Sequence, residues 1–282
     1  MGAPEDVVDF PTDGIVMKKN LLCVLTVCVL VYHAPLIMAA QPAPIPAGRA
    51  ARRTPLDYEY WHQLAPRPRD LWGETEETFR GWNFGYVAAT AGLAGGLAFL
   101  DADMQKPWRR GEEILGQDIT KIGDVVGNPG VQAGVMGLTY TLGQFIGDPT
   151  MTQAGKSMAE TMIFTSLTTI ALKGIFNRER PNGHDHLSFP SWHASATFGN
   201  ATVLAEYYGW EAGIPAYLIA LFVGWTRIED DSHFVSDVVT GAAIGCIYGH
   251  AVSRYSMRVN PSVSIEPVVM EDGPGVRASM RF

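Results

Sequence analysis

Three clusters within residues 173–237 decide how this chain is read: KGIFNRERP (173–181), PSWH (190–193) and TRIEDDSHFVSD (226–237). Lys173 and Arg180 are seven apart, two helical turns, and share a face if the helix runs as far as Pro181, which stops it. Lysine offers an anion a point charge, and arginine offers a planar fork. Ser191 precedes an apolar-periodic run from Ala194 to Tyr208. It can cap that helix, leaving free N–H groups aimed at an anion, with His193 in the first turn. His233 and Asp237 are four apart on one helical face. The carboxylate can fix the tautomer of the ring and leave its other nitrogen free as a nucleophile. Each fragment alone has an ordinary reading: a cationic helix end, a capping or surface histidine, a surface ion pair. Together they suit one task, which is to hold a phosphate and pass it through a histidine.

The combination resembles the phosphatidic acid phosphatase type 2 superfamily, which also contains bacterial acid phosphatases, polyprenyl-diphosphate phosphatases and vanadium haloperoxidases. The family pattern is Lys-x6-Arg-Pro, then Pro-Ser-Gly-His, then Ser-Arg-x5-His-x3-Asp. The resemblance covers about 65 residues directly and is specific for the superfamily rather than for a substrate. It implies that Lys173, Arg180 and Arg227 bind phosphate oxygens, with backbone N–H groups around Ser191 and Trp192 adding donors. It implies that His233 attacks phosphorus, that Asp237 orients His233, and that His193 protonates the leaving oxygen and then activates water. No metal and no other cofactor is implied; vanadate enters only if the chain is a haloperoxidase, for which it is short. Trp192 stands where the family has Gly, and Thr226 where it has Ser.

Outside these clusters the chain reads as all-α. Hydrophobic residues make up 47% of its 282 residues and charged residues 18%, against about 25% in soluble proteins. Helical runs are expected at 81–100, 130–147, 157–176, 193–209, 212–226 and 234–253, a bundle of about six core helices over 81–256. Residues 1–40 contain Lys18-Lys19 before an apolar run and read as a signal peptide or anchor. Residues 41–80 read as a Pro/Ala/Arg linker followed by an aromatic strap. The stretch 101–128 reads as polar, with Lys106, Arg109 and Arg110. Residues 257–282 alternate apolar and polar around Asp272-Gly273-Pro274-Gly275, a short hairpin-like tail.

The net charge of -8 argues against nucleic acid as a partner and leaves room for a locally gathered cationic site. Cys246 reads as a small core residue. His184-Asp185-His186 lacks a third metal ligand and reads as a solvated loop; Glu229-Asp230-Asp231 reads as a dipole complement to a helix from 232 onward. The expectation is an exported, membrane-associated phosphatase acting on a lipid phosphate monoester or diphosphate through a phosphohistidine. A haloperoxidase and a non-catalytic envelope scaffold are the competing readings. Most charge-free runs after the first are shorter than a crossing needs, which favours a domain attached to the membrane, while full integration stays open.

Overall fold

Helix boundaries follow capping residues. The computed structural model describes residues 68–78, 82–106, 114–259, 263–270 and 273–280. The signal segment, most of the linker, Arg109 and Arg110 lie outside the described residues. Among those described there are nine helices: α1 (Pro68–Thr78), α2 (Trp82–Ala98), α3 (Asp101–Met104), α4 (Gln117–Gly127), α5 (Pro129–Ile146), α6 (Pro149–Phe176), α7 (Trp192–Tyr208), α8 (Trp210–Glu229) and α9 (Val235–Val259). Asn128 caps α5 by accepting from Gly130 N, and Asp148 caps α6 by accepting from Thr150 N and Met151 N, each followed by proline at the first helical position. Left-handed Gly147 and Asn177 end α5 and α6.

The six expected runs correspond to α2 and α5–α9, so the chain is an all-α bundle. Two differences matter. Helix α6 begins at Pro149 because Asp148 is a strong cap, making it 28 residues long. It stops at Phe176, as the expected run does, so Arg180 is on a loop and does not share the helix of Lys173. Residues 117–127, read as part of a polar stretch, form α4. Beyond α9, Val263–Met270 (β1) and Gly273–Met280 (β2) pair antiparallel, with Met270 opposite Gly273. Gly273, Pro274 and Gly275 therefore lie within β2 and not in the turn assigned to them.

Helix α7 is central and packs against α6, α8 and α9. Its contact with α9 is backbone to backbone. A Cβ added at Gly241 would stand 2.3 Å from Ser191 O, one at Gly245 2.4 Å from Ser195 O, and one at Gly249 2.8 Å from Gly199 O. Three glycines at helical spacing thus let the two helices touch. Phe198, Tyr217, Ile228, Val235, Val238 and the free thiol of Cys246 fill the core beside this contact.

Larger apolar side chains point the other way. Val131, Val135, Leu138, Leu142 and Phe145 form an exposed stripe on α5; Ile163, Leu167 and Ile170 do so on α6, and Ile214, Leu218 and Ile219 on α8. Among the described residues one helix, Val235–Arg258, is long and apolar enough to cross a membrane, and 78% of its apolar window is buried inside the bundle.

The α7–α9 contact generates a stability prediction. Gly245→Ala forces a methyl group against Ser195 O and lowers stability by about 2 kcal/mol. Gly85→Ala on α2 meets nothing within 4 Å and leaves the melting temperature near that of the parent. Thermal unfolding of the two variants in detergent measures the difference.

Candidate active site

Lys173 is in the last turn of α6, and its ammonium donates to Leu187 O in the following loop. The loop then turns back on itself. Arg180 donates from Nε to Asp185 Oδ1 at 2.7 Å and from Nη1 to Ser232 O at 3.1 Å. Asp185 also accepts from Leu187 N. The acid read as part of a solvated loop therefore aims a site arginine, while His184 and His186 on either side are exposed. Among the described residues no group of three or more His, Cys, Asp or Glu is placed to hold a metal.

Ser191 caps α7, its hydroxyl accepting from Ala194 N at 3.4 Å. Its own N–H donates to Asp237 O at 2.9 Å and is not free for an anion. The donors left at this helix start are the amides of Trp192 and His193, which have no intrahelical acceptor. The Trp192 indole donates to Ser166 Oγ at 3.2 Å, anchoring α7 to α6.

Arg227 is buried near the end of α8. Its Nη1 donates to Asp124 Oδ1 at 2.8 Å and its Nη2 to Thr120 O at 3.4 Å, both on α4. His233 follows in the turn before α9, and its Nδ1 is 3.7 Å from Asp237 Oδ2, longer than a hydrogen bond. Asp237 is held from several sides. Ser188 Oγ and Phe234 N donate to Oδ2, and Arg178 Nη1 donates to Oδ1 at 2.7 Å. Arg178 also donates to Ser236 Oγ and to the buried Asp101 and lies 4.1 Å over the Phe234 ring. Asp101 accepts in turn from Ser236 N at 3.0 Å and from Ser236 Oγ.

Glu229, Asp230 and Asp231 do not complement a helix start. Glu229 ends α8 and accepts from Leu115 N, Gly116 N and Trp225 Nε1, which fixes the approach to α4. Asp230 accepts from Ser232 Oγ, and Asp231, at a left-handed φ of 51°, accepts from Gln105.

The charges act on one another. Burial, followed by the neighbouring Arg180, brings the Lys173 ammonium down to about 8. Burial, then Arg227 and His233, bring His193 down to about 4, with Asp124 pulling the other way. Burial also holds His233 below the usual histidine range, against the opposing pull of Asp237. For Asp237 burial pushes up, but His233, Arg178 and the Ser188 hydroxyl outweigh it, so the group stays below the usual carboxylate range. Both histidines are therefore neutral at neutral pH and Asp237 is ionised. Arg227 Nε, His193 Nε2 and His233 Nδ1 are buried without a hydrogen-bond partner. Two of these atoms face a carboxylate: His193 Nε2 is 3.3 Å from Asp124 Oδ1, and His233 Nδ1 is 3.7 Å from Asp237 Oδ2.

Residues 154–261 match the family model described as the PAP2 superfamily. That stretch belongs to the PAP2 superfamily. It contains all three clusters, and the PAP2 segment thus includes every residue assigned to the site from sequence. A lipid A 1-phosphatase of Porphyromonas gingivalis is 38% identical over 77 residues, 26% of this chain, and the chain spans only 17% of that relative's length. The structure described as Aquifex aeolicus LpxE is similar at 23% identity and a TM-score of 0.47, covering 55% of this chain and 95% of that one.

Two departures from the PAP2 pattern have structural answers. Trp192 is in the helix, where no positive φ is required, and its ring is turned toward Ser166. Thr226 donates to Val223 O within α8 and backs onto Gly123. Asp101, Asp124, Arg178, Asp185 and Ser188 were missed from sequence. Arg178 was the most accessible of them, standing five residues after Lys173 in the first PAP2 cluster.

Removing the Arg178 guanidinium leaves Asp101 and Asp237 buried with their shared counter-charge gone. Arg178→Met is expected to cost about 3 kcal/mol of stability, and Arg178→Lys to recover part of it. Chemical denaturation of the three proteins gives the comparison.

Proposed function

We propose that this protein is a metal-independent phosphatase that removes phosphate from a lipid phosphate monoester or diphosphate through a phosphohistidine on His233. The observation that carries this reading is the convergence of Lys173, Arg180 and Arg227 on two neutral histidines, the buried His233 and the half-buried His193. Three fixed cations neutralise a phosphoryl group and stabilise the charge that develops on its equatorial oxygens.

In the first half-reaction the free ring nitrogen of His233, Nε2, attacks phosphorus, forming an N–P bond as the P–O bond to the leaving group breaks. Asp237, held ionised by Arg178 and Ser188, closes on Nδ1 and supports the positive charge appearing on the ring. His193 gives its proton to the departing oxygen. It is neutral in the free site and takes up that proton from solvent as the phosphate anion binds and raises its proton affinity; the proton regained from water in the second half-reaction returns to solvent when phosphate leaves. In the second half-reaction His193 takes a proton from water, the water oxygen bonds to phosphorus, and the N–P bond breaks to release inorganic phosphate.

The lipid class is supported by two features. A cavity of about 640 Å³ between α2, α6 and α9 is lined by apolar groups including Ala94, Leu172, Phe176, Phe189, Ile244 and Ile247. Leu172 and Phe189 adjoin Lys173 and Pro190 in the chain, so hydrocarbon held there has its polar end near the cradle. The exposed apolar stripes on α5, α6 and α8 suit attachment to a lipid layer, since contiguous apolar surface of that kind is rare on soluble monomers. The lipid A 1-phosphatase similarity makes a phosphorylated glycolipid the first substrate to try. The apolar run behind Lys18-Lys19 supports a place in the cell envelope.

The test is phosphate release from lipid A, phosphatidate and undecaprenyl diphosphate by detergent-solubilised protein. Release is expected from at least one lipid. His233→Ala is expected to abolish it while thermal unfolding stays cooperative; undiminished release by that variant would exclude the mechanism. The pH profile carries its own sign. The Lys173 charge is present below its lowered value of about 8 and is lost above it, so kcat/KM falls as pH rises through about 8. Lys173→Arg keeps the charge and moves that decline to higher pH, at reduced activity.

A further inference from the structure

One close contact in the site has no part in the chemistry above. Asp124 is on α4, ahead of the matched residues 154–261. Its Oδ1 accepts from Arg227 Nη1 at 2.8 Å and lies 3.3 Å from His193 Nε2, a buried nitrogen with no hydrogen-bond partner. Two glycines bring it there. A Cβ at Gly123 would stand 2.0 Å from Thr226 Oγ1, and one at Gly127 would stand 2.5 Å from Val223 Cγ1 and 2.9 Å from His193 Cδ2. Helix α4 is thus pressed onto α8 and onto the His193 ring at the two positions that flank the Asp124 turn. The carboxylate is 57% exposed, so it is an acid at the mouth of the site and not a core ion pair.

We infer that Asp124 is the positioning residue for His193. Asp124 faces Nε2 and turns the opposite ring nitrogen, Nδ1, toward the leaving-group oxygen. Through Arg227 it ties the acid to the phosphate that the acid serves. When His193 is protonated, Asp124 stabilises the imidazolium. The charged and titratable groups facing His193 are Asp124 from α4, Arg227 from α8, His233 from the α8–α9 turn and Arg180 from the α6–α7 loop. Three of these oppose a proton on the ring, and Asp124 alone among them favours it. The site then contains two carboxylate–histidine pairs: Asp237 with the nucleophile, and Asp124 with the acid.

This inference rests on the phosphatase reading, and its test separates the two. Asp124→Asn and Asp124→Glu are compared with the parent on 4-nitrophenyl phosphate, whose leaving group departs without a proton, and on 4-nitrobenzyl phosphate, whose alkoxide needs one. Asp124→Asn is expected to lose about 10–100-fold in kcat on the benzyl ester and less than about 3-fold on the phenyl ester, with partial recovery in Asp124→Glu. Equal losses on both esters, or none on either, would overturn the role. Tighter binding of inorganic phosphate with unchanged leaving-group dependence would overturn it as well, by making Asp124 a competitor for Arg227. A second measurement needs no turnover. The His193 ring, assigned by comparison with His193→Gln, is titrated by NMR in the presence of vanadate. Its midpoint is expected to fall in Asp124→Asn; an unchanged midpoint contradicts the proposal even if neither ester is hydrolysed. Absence of phosphate release from every ester and lipid by the parent protein counts instead against the phosphatase reading.

Discussion

The site depends on how closely α9 can approach α7. His193 is on one of these helices, Asp237 is on the other, and His233 is in the turn leading into the second. Their separation is set by backbone contact at Gly241, Gly245 and Gly249, where any side chain would collide with Ser191, Ser195 or Gly199. The hydrogen bond from Ser191 N to Asp237 O joins the cap of α7 to the first turn of α9. A side chain at that crossing would part the helices by ångströms and move His193 away from His233 and Asp237.

Around that crossing, burial and charge are set against each other. Burial favours neutral histidines, which a nucleophile requires, and disfavours an ionised Asp237. His233, together with Arg178 bridging Asp237 to Asp101, outweighs burial, so the Asp237 carboxylate stays charged. The same inversion runs through the scaffold: glycine, alanine, serine and threonine fill the helix contacts, while isoleucine, leucine and phenylalanine face outward on α5, α6 and α8. Such packing relies on close approach of backbones more than on large interior side chains.

The three clusters were legible because each is local. Spacing fixes Lys173 before a chain reversal, His193 in the first turn of a capped helix, and His233 four residues from Asp237. Helix α6 ends at Phe176, where Asn177 adopts a left-handed conformation, and the loop returns Arg180 to Ser232. What could not be read was the support. Asp101 meets Ser236 across 135 positions, and Asp124 meets Arg227 across 103. Helix α4 was overlooked because its charges mask its pattern and because Ile119, Ile122 and Val125 point outward while Thr120, Gly123 and Gly127 pack inward. Glu229-Asp230-Asp231 misled for a similar reason: the partners of Glu229 and Asp231, at Leu115, Gly116 and Gln105, are more than a hundred residues away.

The central claim is that phosphate passes through His233. Rapid mixing of enzyme with a 32P-labelled lipid phosphate, quenched in alkali to preserve phosphohistidine, tests it most directly. The expected result is a label that appears and decays within a turnover and maps to His233. Turnover with no protein-bound label on the same timescale, or a label mapping to His193, would contradict it.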